Sequence, residues 1–425
     1  MKSSGLSGHI LYGQLALPLA FAGLPLYIHA PDFYAANFGL SLGFIGVVLL
    51  AVRLLDAFAD PFIGSLSDRY AHRRPVFMPV TAFFFALSFV ALFNPPPAAE
   101  PLWFTFCIFL ATLSFSVLTI NLNSIGSEIA KDNITRTNVS SIREAFGILG
   151  LFLAVLLPYV VATMQHYALI ISVVTLLSMC VFIFWLLRQK NADIRNNATF
   201  GRLNLSDVFK GDAARFFAVY GISIFSSSLP AVLVLFYIRD YLAAEKFTGM
   251  FLAIYFLSAI LFMPLWKVCA RRYGARAVWF FAMGLAALSL VFAAFIGEGA
   301  IYAYAIICFF SGAALGAELM LPPAILSSLI DQSGKNHQTS LYFGVYAFFM
   351  KIALALASVV AFTALDIAGF LPDAQNESCA LITLAFLYAL VPAVLKLAAM
   401  LLLYRTGEKN EKKLHAAHLG CHYGS

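Results

Sequence analysis

Residues 42–64 read LGFIGVVLLAVRLLDAFADPFIG, an apolar run interrupted by Arg53, Asp56 and Asp60. A helix rises about 1.5 Å per residue, so a run of this length crosses the roughly 30 Å of hydrocarbon in a bilayer. The three ionisable residues fall at i, i+3 and i+7, which places them on one helical face. Charge inside hydrocarbon is costly, so such residues face a cavity or a bundle interior and mark an ion or substrate path. One cation and two carboxylates on a single stripe point to a site for Na⁺ or a proton. The plainer alternative is an ion pair that only fixes helix packing, and it leaves the second carboxylate unbalanced.

The rest of the chain repeats the apolar pattern. Of its 425 residues, 62% are hydrophobic and 11% charged, a composition outside the range of soluble domains. Twelve spanning runs are expected, at 10–30, 40–66, 75–94, 102–127, 141–164, 168–188, 213–238, 247–268, 276–296, 301–329, 341–365 and 379–404. The expected fold is an all-α membrane protein of twelve transmembrane helices. Its expected division is an N-terminal six-helix half at 1–188, a cytoplasmic loop at 189–212, a C-terminal half at 213–405 and a cytoplasmic tail at 406–425.

Basic residues in short loops set orientation. With both termini inside, one side holds Arg69, Arg73, Arg74, Lys131, Arg136, Arg188, Lys210, Arg271, Arg272 and Arg276 among others, and the opposite side only Arg239 and Lys246. The net charge of +6 is thus a topology signal, and no nucleic-acid partner is expected. The first apolar run is read as helix 1 rather than a cleaved leader, since it is long and lacks a polar cleavage region. The six cysteines are scattered with no CxxC, so neither disulfides nor a metal site are expected.

An internal repeat orders the helices. PFIGSLSDRYAHRRPVF at 61–77 matches PLWKVCARRYGARAVWF at 264–280 through Pro61/Pro264, Arg69/Arg272, Tyr70/Tyr273, Arg73/Arg276 and Phe77/Phe280. The same offset carries Glu128 onto Asp331. Two similar six-helix halves follow, an arrangement that places a substrate site near the midplane.

The loop motif G-x-x-x-D-R-x-x-x-R-R, here Gly64, Asp68, Arg69, Arg73 and Arg74, resembles the signature of the major facilitator superfamily. There the resemblance implies a gating role, with Asp68 latching the halves by charge pairing that breaks and reforms. LLDAFADPFIGSLSDR, GSEIAKDNITRTNVSSIREAFGILG (126–150) and SLYFGVYAFFMK (340–351) together resemble the glycoside–pentoside–hexuronide:cation symporters, the melibiose-carrier branch. That family holds its coupling cation on two acids in D-x-x-N-D. Here the pattern is Asp56-Ala57-Phe58-Ala59-Asp60, with alanine replacing the amide. The resemblance adds Thr119 as a neighbouring hydroxyl, with Ser116 a turn earlier, and Lys351 as the lysine near the cation. Arg143, followed by Glu144, matches a substrate contact. Two carboxylates and one hydroxyl are a thin sodium shell, whereas a proton needs one carboxylate with a raised pKa, so H⁺ is favoured over Na⁺.

The helix-1 segment GQLALPLAFAGLPLYIHA has no acid, although the sugar carriers use one there. Glu318, in the middle of helix 10, has no counterpart in the family pattern; it is read as a contact for a cationic substrate group, as a proton carrier, or as a structural partner of Lys351 or another helix. Asn123 is preferred over Asn121 as a cavity residue on helix 4. Tyr342 and Tyr346 are candidates for stacking against a sugar. Pro322-Pro323 is expected to break or kink helix 10, Pro25, Pro158, Pro230, Pro264 and Pro392 are expected to bend theirs, and Trp103, Tyr167, Trp185 and Trp279 are expected in interfacial belts.

The expected function is cation-coupled symport of a small, glycoside-like solute by alternating access, with Arg53 or Lys351 competing for the acids when the site is empty. A transporter of lysophospholipids or other amphipathic substrates is the alternative within the same fold, and a non-transporting sensor or scaffold the alternative of another class. No nucleotide loop, nucleophile elbow or metal motif points to an enzyme. No cofactor is expected beyond the coupling ion; the expected partners are the solute and membrane lipid. A monomer in a bacterial inner membrane, with both termini cytoplasmic, completes the expectation.

Overall fold

Helix occupies every expected apolar run in the computed structural model, which describes residues 6–23, 26, 29–97, 99–157, 161, 163–189, 205, 208–371 and 376–420. Pro25 and Pro158, expected to bend their helices, lie outside the described residues, as does most of the expected 189–212 loop. Among the described residues, nine helices are long and apolar enough to cross a membrane. The charged run at 42–69 is not among these nine.

By Cα packing the chain forms two units, the first comprising Met1–Leu205 and Ser327–Phe348, the second Ser206–Leu326 and Phe349–Ser425. Eight helices belong to the first: α1 (Leu6–Gly13), α2 (Ala16–Phe21), α3 (Ala30–Phe38), α4 (Leu42–Arg69), α5 (Arg74–Leu92), α6 (Glu100–Ile129), α7 (Asn133–Leu156) and α8 (Met164–Gln189). The second begins with α9 (Gly211–Phe236), α10 (Thr248–Tyr273) and α11 (Ala275–Ala293). Then come α12 (Ile301–Gln332) and α13 (Thr339–Ile367), each of which contributes to both units, and finally α14 (Ser378–Ala385) and α15 (Val391–Gly420).

In the first unit α5 lies against α6 and α8, α2 against α7, and α4 against α6. Glycines permit these approaches: a Cβ on Gly150 would overlap the Leu17 carbonyl, and one on Gly126 the Tyr12 ring. In the second unit α15 packs on α9 and α11. There Gly312 and Gly316, a GxxxG pair on α12, lie directly on the Tyr255 and Ala259 carbonyls of α10. This is the small-residue contact by which helices approach in lipid, where no hydrophobic effect draws them together.

Two expectations are corrected. Pro322 and Pro323 do not break their helix; α12 runs on through both. Proline in a membrane helix is tolerated where neighbours supply the lost bonds. Each proline still cannot donate to the carbonyl four residues back, here those of Glu318 and Leu319. The aromatic residues expected at the interface are also misplaced. Tyr167, Trp185 and Trp279 are buried, Trp185 against Tyr12 with ring centroids 5.9 Å apart and Trp279 against Phe216 at 6.1 Å. They fill gaps between helices, where their large area outweighs what an interfacial position offers.

Asp132 starts α7. Its carboxylate accepts from the Thr135 N–H at 2.9 Å and the Thr135 hydroxyl at 2.8 Å. These bonds, the backbone one foremost, hold its carboxyl below the usual range. A depressed folded-state pKa contributes stability above the ordinary carboxylate value, lost as pH falls through the lowered one. Asp132→Ala is expected to cost about 1 kcal/mol at neutral pH. The melting-temperature gap to wild type, measured by differential scanning fluorimetry, should shrink on going to about pH 3; a gap that does not change with pH would contradict the capping account.

Candidate functional site

Several polar clusters interrupt the apolar interior of the described residues. The first centres on Asp56, near the middle of α4. Asp56 and Asp60 are both buried. The Ser116 hydroxyl of α6 donates to Asp56 Oδ1 at 2.6 Å, the length of a charge-assisted O–H···O⁻ bond. Further along the same two helices, Asn121 Nδ2 donates to Ser67 Oγ at 2.9 Å. These cross-links run in the same order on both helices, so Asp60 and Thr119 fall between them. Thr119 Oγ1 is buried with no hydrogen-bond partner among the described residues. Elsewhere on α6, Thr105 and Thr112 return their hydroxyls to the carbonyl four residues back at 2.8 and 2.7 Å. Thr119 makes no such return bond. Arg53 is half-buried on the same helix. The backbone of α13 closes on this point, for a Cβ on Gly344 would overlap the Asp60 carbonyl.

The second cluster lies at the ends of α4, α5, α6 and α13, all within the first unit. Asp68 accepts at 2.8 Å from both the Ser340 and Leu341 N–H groups, the open first turn of α13, where a carboxylate meets both unsatisfied donors and the positive end of the helix dipole. Arg74 is buried and donates through Nε to Asn121 Oδ1 at 3.1 Å, through one terminal nitrogen to both Glu128 oxygens at 2.7 Å, and through the other to Ser124 Oγ at 3.1 Å and Ser340 Oγ at 2.8 Å. Gly64 lets α4 and α13 meet, since a Cβ there would overlap the Ser340 carbonyl. Arg136 pairs with Asp331 at 2.9 Å, and Ser127 bonds Ser327 at 2.6 Å. Of the motif's arginines only Arg74 enters this network; Arg69 and Arg73 are exposed and flank the Tyr70 ring at 5.8 and 5.9 Å. Asn121 is the asparagine drawn into the network, while Asn123 is buried on the same helix.

Also in the first unit, Arg143 Nε donates to Glu144 Oε1 at 3.1 Å, and a terminal nitrogen contacts the same oxygen. Tyr12 and Tyr346 lie within electrostatic range of this guanidinium. Arg143, Glu144 and Tyr346 therefore come together on α7 and α13, and Tyr342 is buried one turn earlier on α13.

The third cluster is in the second unit. Glu318 of α12 pairs with Lys396 of α15, whose Nζ lies 2.7 Å from Oε1 and 2.8 Å from Oε2. Nζ also donates to Ser223 Oγ at 2.9 Å, Ser223 O at 3.1 Å and Ser227 Oγ at 2.8 Å, all on α9. The partner of Glu318 is thus a lysine that sequence reading passed over. Its signal was the one that marked Arg53, an ionisable residue inside an apolar run. Lys351 is half-buried on the part of α13 that belongs to the second unit.

A family described as MFS/sugar transport protein matches residues 9–407. An uncharacterized symporter of Bacillus subtilis, YnaJ, is 22% identical over 95% of this chain and 92% of its own length. The sodium-dependent lysophosphatidylcholine symporter 1 of Mus musculus is 28% identical over 188 residues, 40% of this chain and 34% of that protein. Among solved structures, a bacterial homologue of the iron transporter ferroportin in an outward-facing state superposes with a TM-score of 0.72 at 14% identity, covering 95% of this chain and 98% of that one. At that identity the likeness concerns the fold alone, an all-α membrane fold shared with transporters of the major facilitator superfamily.

Proposed function

We propose, since the chain belongs to the MFS/sugar transport family and is a multi-pass membrane transporter, that it is a cation-coupled symporter working by alternating access. Asp56 and Asp60 bind the coupling cation. The observation that carries this reading is the buried mid-helix Asp56 held by the Ser116 hydroxyl at 2.6 Å, with a second buried carboxylate one turn on. Hydrocarbon makes such a pair costly unless it is used. A proton is favoured, because Ala59 stands where the resembling symporters keep an amide ligand. Thr119's unengaged hydroxyl is the observation that favours sodium as the second reading, since it would complete an oxygen set between α4 and α6. The Asp68–Arg74 network serves as the gate at the cytoplasmic end, in a chain oriented with both termini inside a bacterial inner membrane.

The proposed cargo is a small polar solute contacted by Arg143, Glu144 and Tyr346 of the first unit. An amphipathic, lysophospholipid-like cargo is favoured by the match to the mouse lysophosphatidylcholine symporter and by a first span without acids. Thermal shift of the purified chain with melibiose and related glycosides, and separately with lysophosphatidylcholine, at two pH values with and without NaCl, tests both. A glycoside shift that grows as pH falls, and is lost in Arg143→Ala, is the expected result. A shift with lysophosphatidylcholine alone overturns the polar-solute reading, and cargo shifts indifferent to both pH and sodium overturn coupling.

A further inference from the structure

The repeat at an offset of 203 keeps the basic residues of the α4–α5 turn and drops what engages them. Arg69 and Arg73 recur as Arg272 and Arg276, but Asp68 falls on Arg271, Arg74 on Ala277 and Gly64 on Lys267. In the first unit those three positions carry the acid that caps α13, the hub of the buried network and the gap that admits the α13 backbone. In the second unit the acid has become a base, the hub is gone and a long cation stands in place of the gap. Lys267, Arg271 and Arg272 close α10 and Arg276 opens α11, with no acidic residue from 246 to 297. Gly274, at φ 86°, is the one residue between the two helices, so the four cations gather at a single turn. Arg271 lies within electrostatic range of Lys267. Among the described residues of the second unit, Asp212 is taken by Arg215 at 3.1 Å and Glu318 by Lys396.

Two ordinary roles leave part of this cluster unexplained. Cations complement the carbonyl end of a helix, which suits Arg271 and Arg272, but Arg276 sits in the first turn of α11, where the helix dipole opposes it. Loop cations also set topology, but hydrated charges satisfy that rule, and Lys267 is half-buried more than a turn inside a spanning helix. The same helix carries an exposed apolar stripe at Leu257, Leu261, Leu265 and Val268. Their spacings of four, four and three residues put them on one face, and Arg272, four residues further on, closes it.

We propose that this turn is a binding site for an anionic phospholipid, its phosphate held by Lys267, Arg271, Arg272 and Arg276 and its acyl chains lying along the stripe of α10. Basic clusters at the end of a spanning helix collect anionic headgroups. Arginine forks match phosphate oxygens in pairs, and Lys267 adds a point charge from the apolar side. A zwitterionic headgroup brings its own ammonium and leaves the cluster unbalanced, so the net charge of the lipid decides binding. The site lies in the second unit alone and does not depend on the coupling role of Asp56 and Asp60.

The test titrates dioleoyl phosphatidylglycerol, and separately dioleoyl phosphatidylcholine, into the delipidated full-length chain in a neutral detergent and reads the melting temperature. Phosphatidylglycerol should give a saturable rise that phosphatidylcholine does not. Arg271→Gln/Arg272→Gln, both exposed, should fold as wild type does and need about 10-fold or more lipid for the half-maximal rise, at about fivefold for each lost cation. Arg69→Gln/Arg73→Gln removes the same charge from the matching turn of the first unit and should leave the titration unchanged. No rise with phosphatidylglycerol, equal rises with the two lipids, or equal losses in the two double variants overturns the proposal. So does a rise that inorganic phosphate reproduces, which would make the occupant a free anion. A phosphatidylglycerol rise that is lost in Arg143→Ala and kept in Arg271→Gln/Arg272→Gln would put the lipid at the cargo contacts and also overturns it.

Discussion

Arg74→Ala is expected to destabilise the chain by about 3–5 kcal/mol, the cost of removing one partner from a buried ion-pair network. The guanidinium is the hub for Glu128, Asn121, Ser124 and Ser340, and Asp68 Oδ1 stands 4.0 Å from it. Its loss leaves Glu128 unbalanced and Asn121 Oδ1 without its donor. Lysine should restore little, because a point charge cannot serve acceptors on two helices as a planar fork does. Arg69→Ala and Arg73→Ala, both exposed, should stay within about 0.5 kcal/mol of wild type. Unfolding in a denaturing detergent titration measures all four. Equal losses at the three arginines would show that the motif acts by summed positive charge rather than by the contacts of Arg74.

Asp56→Asn and Asp60→Asn are expected to abolish accumulation against a gradient while leaving the fold intact. Asparagine keeps the shape of aspartate, and its carbonyl can still accept from Ser116, so the packing of α4 on α6 survives. What goes is the site's ability to change charge. Coupling of this kind is typically worth 1–3 kcal/mol between two ligands, so each variant should lose about 10-fold or more of cation-dependent uptake in cells. Counterflow, in which cargo exchanges without net cation movement, should be less affected. Ser116→Ala should show a smaller loss, about 1 kcal/mol, the net value of one hydrogen bond. Uptake that stays at the wild-type level and cation-dependent in both asparagine variants would remove the acids from the mechanism.

Much of the account was legible before any coordinates. Mid-span charges identified the acid stripe, because their cost in lipid is large and independent of partner. The helical runs were legible for the same reason, since lipid demands long, internally bonded segments. Partner choice was not. Arg69, Arg73 and Arg74 look alike in the motif, and only the turn between α4 and α5 decides which one points inward. Asn121 and Asn123, two residues apart, face different sides, and no spacing rule says which side holds Arg74. Lys396 was visible as an ionisable residue in an apolar run, yet its acid lies 78 residues earlier, a distance that periodicity does not bridge. Trp185 and Trp279 were misplaced because chain position near a helix end says nothing about whether a neighbouring helix covers it.

The central claim is that Asp56 and Asp60 bind the coupling cation, and it can be tested without knowing the cargo. The measurement is the melting temperature of wild type, Asp56→Asn and Asp60→Asn as a function of pH, in NaCl and in choline chloride. The account predicts that wild type is stabilised by falling pH, by sodium, or by both, and that each variant loses that stabilisation while remaining folded. Variants that keep the full wild-type dependence on pH and on sodium would contradict it.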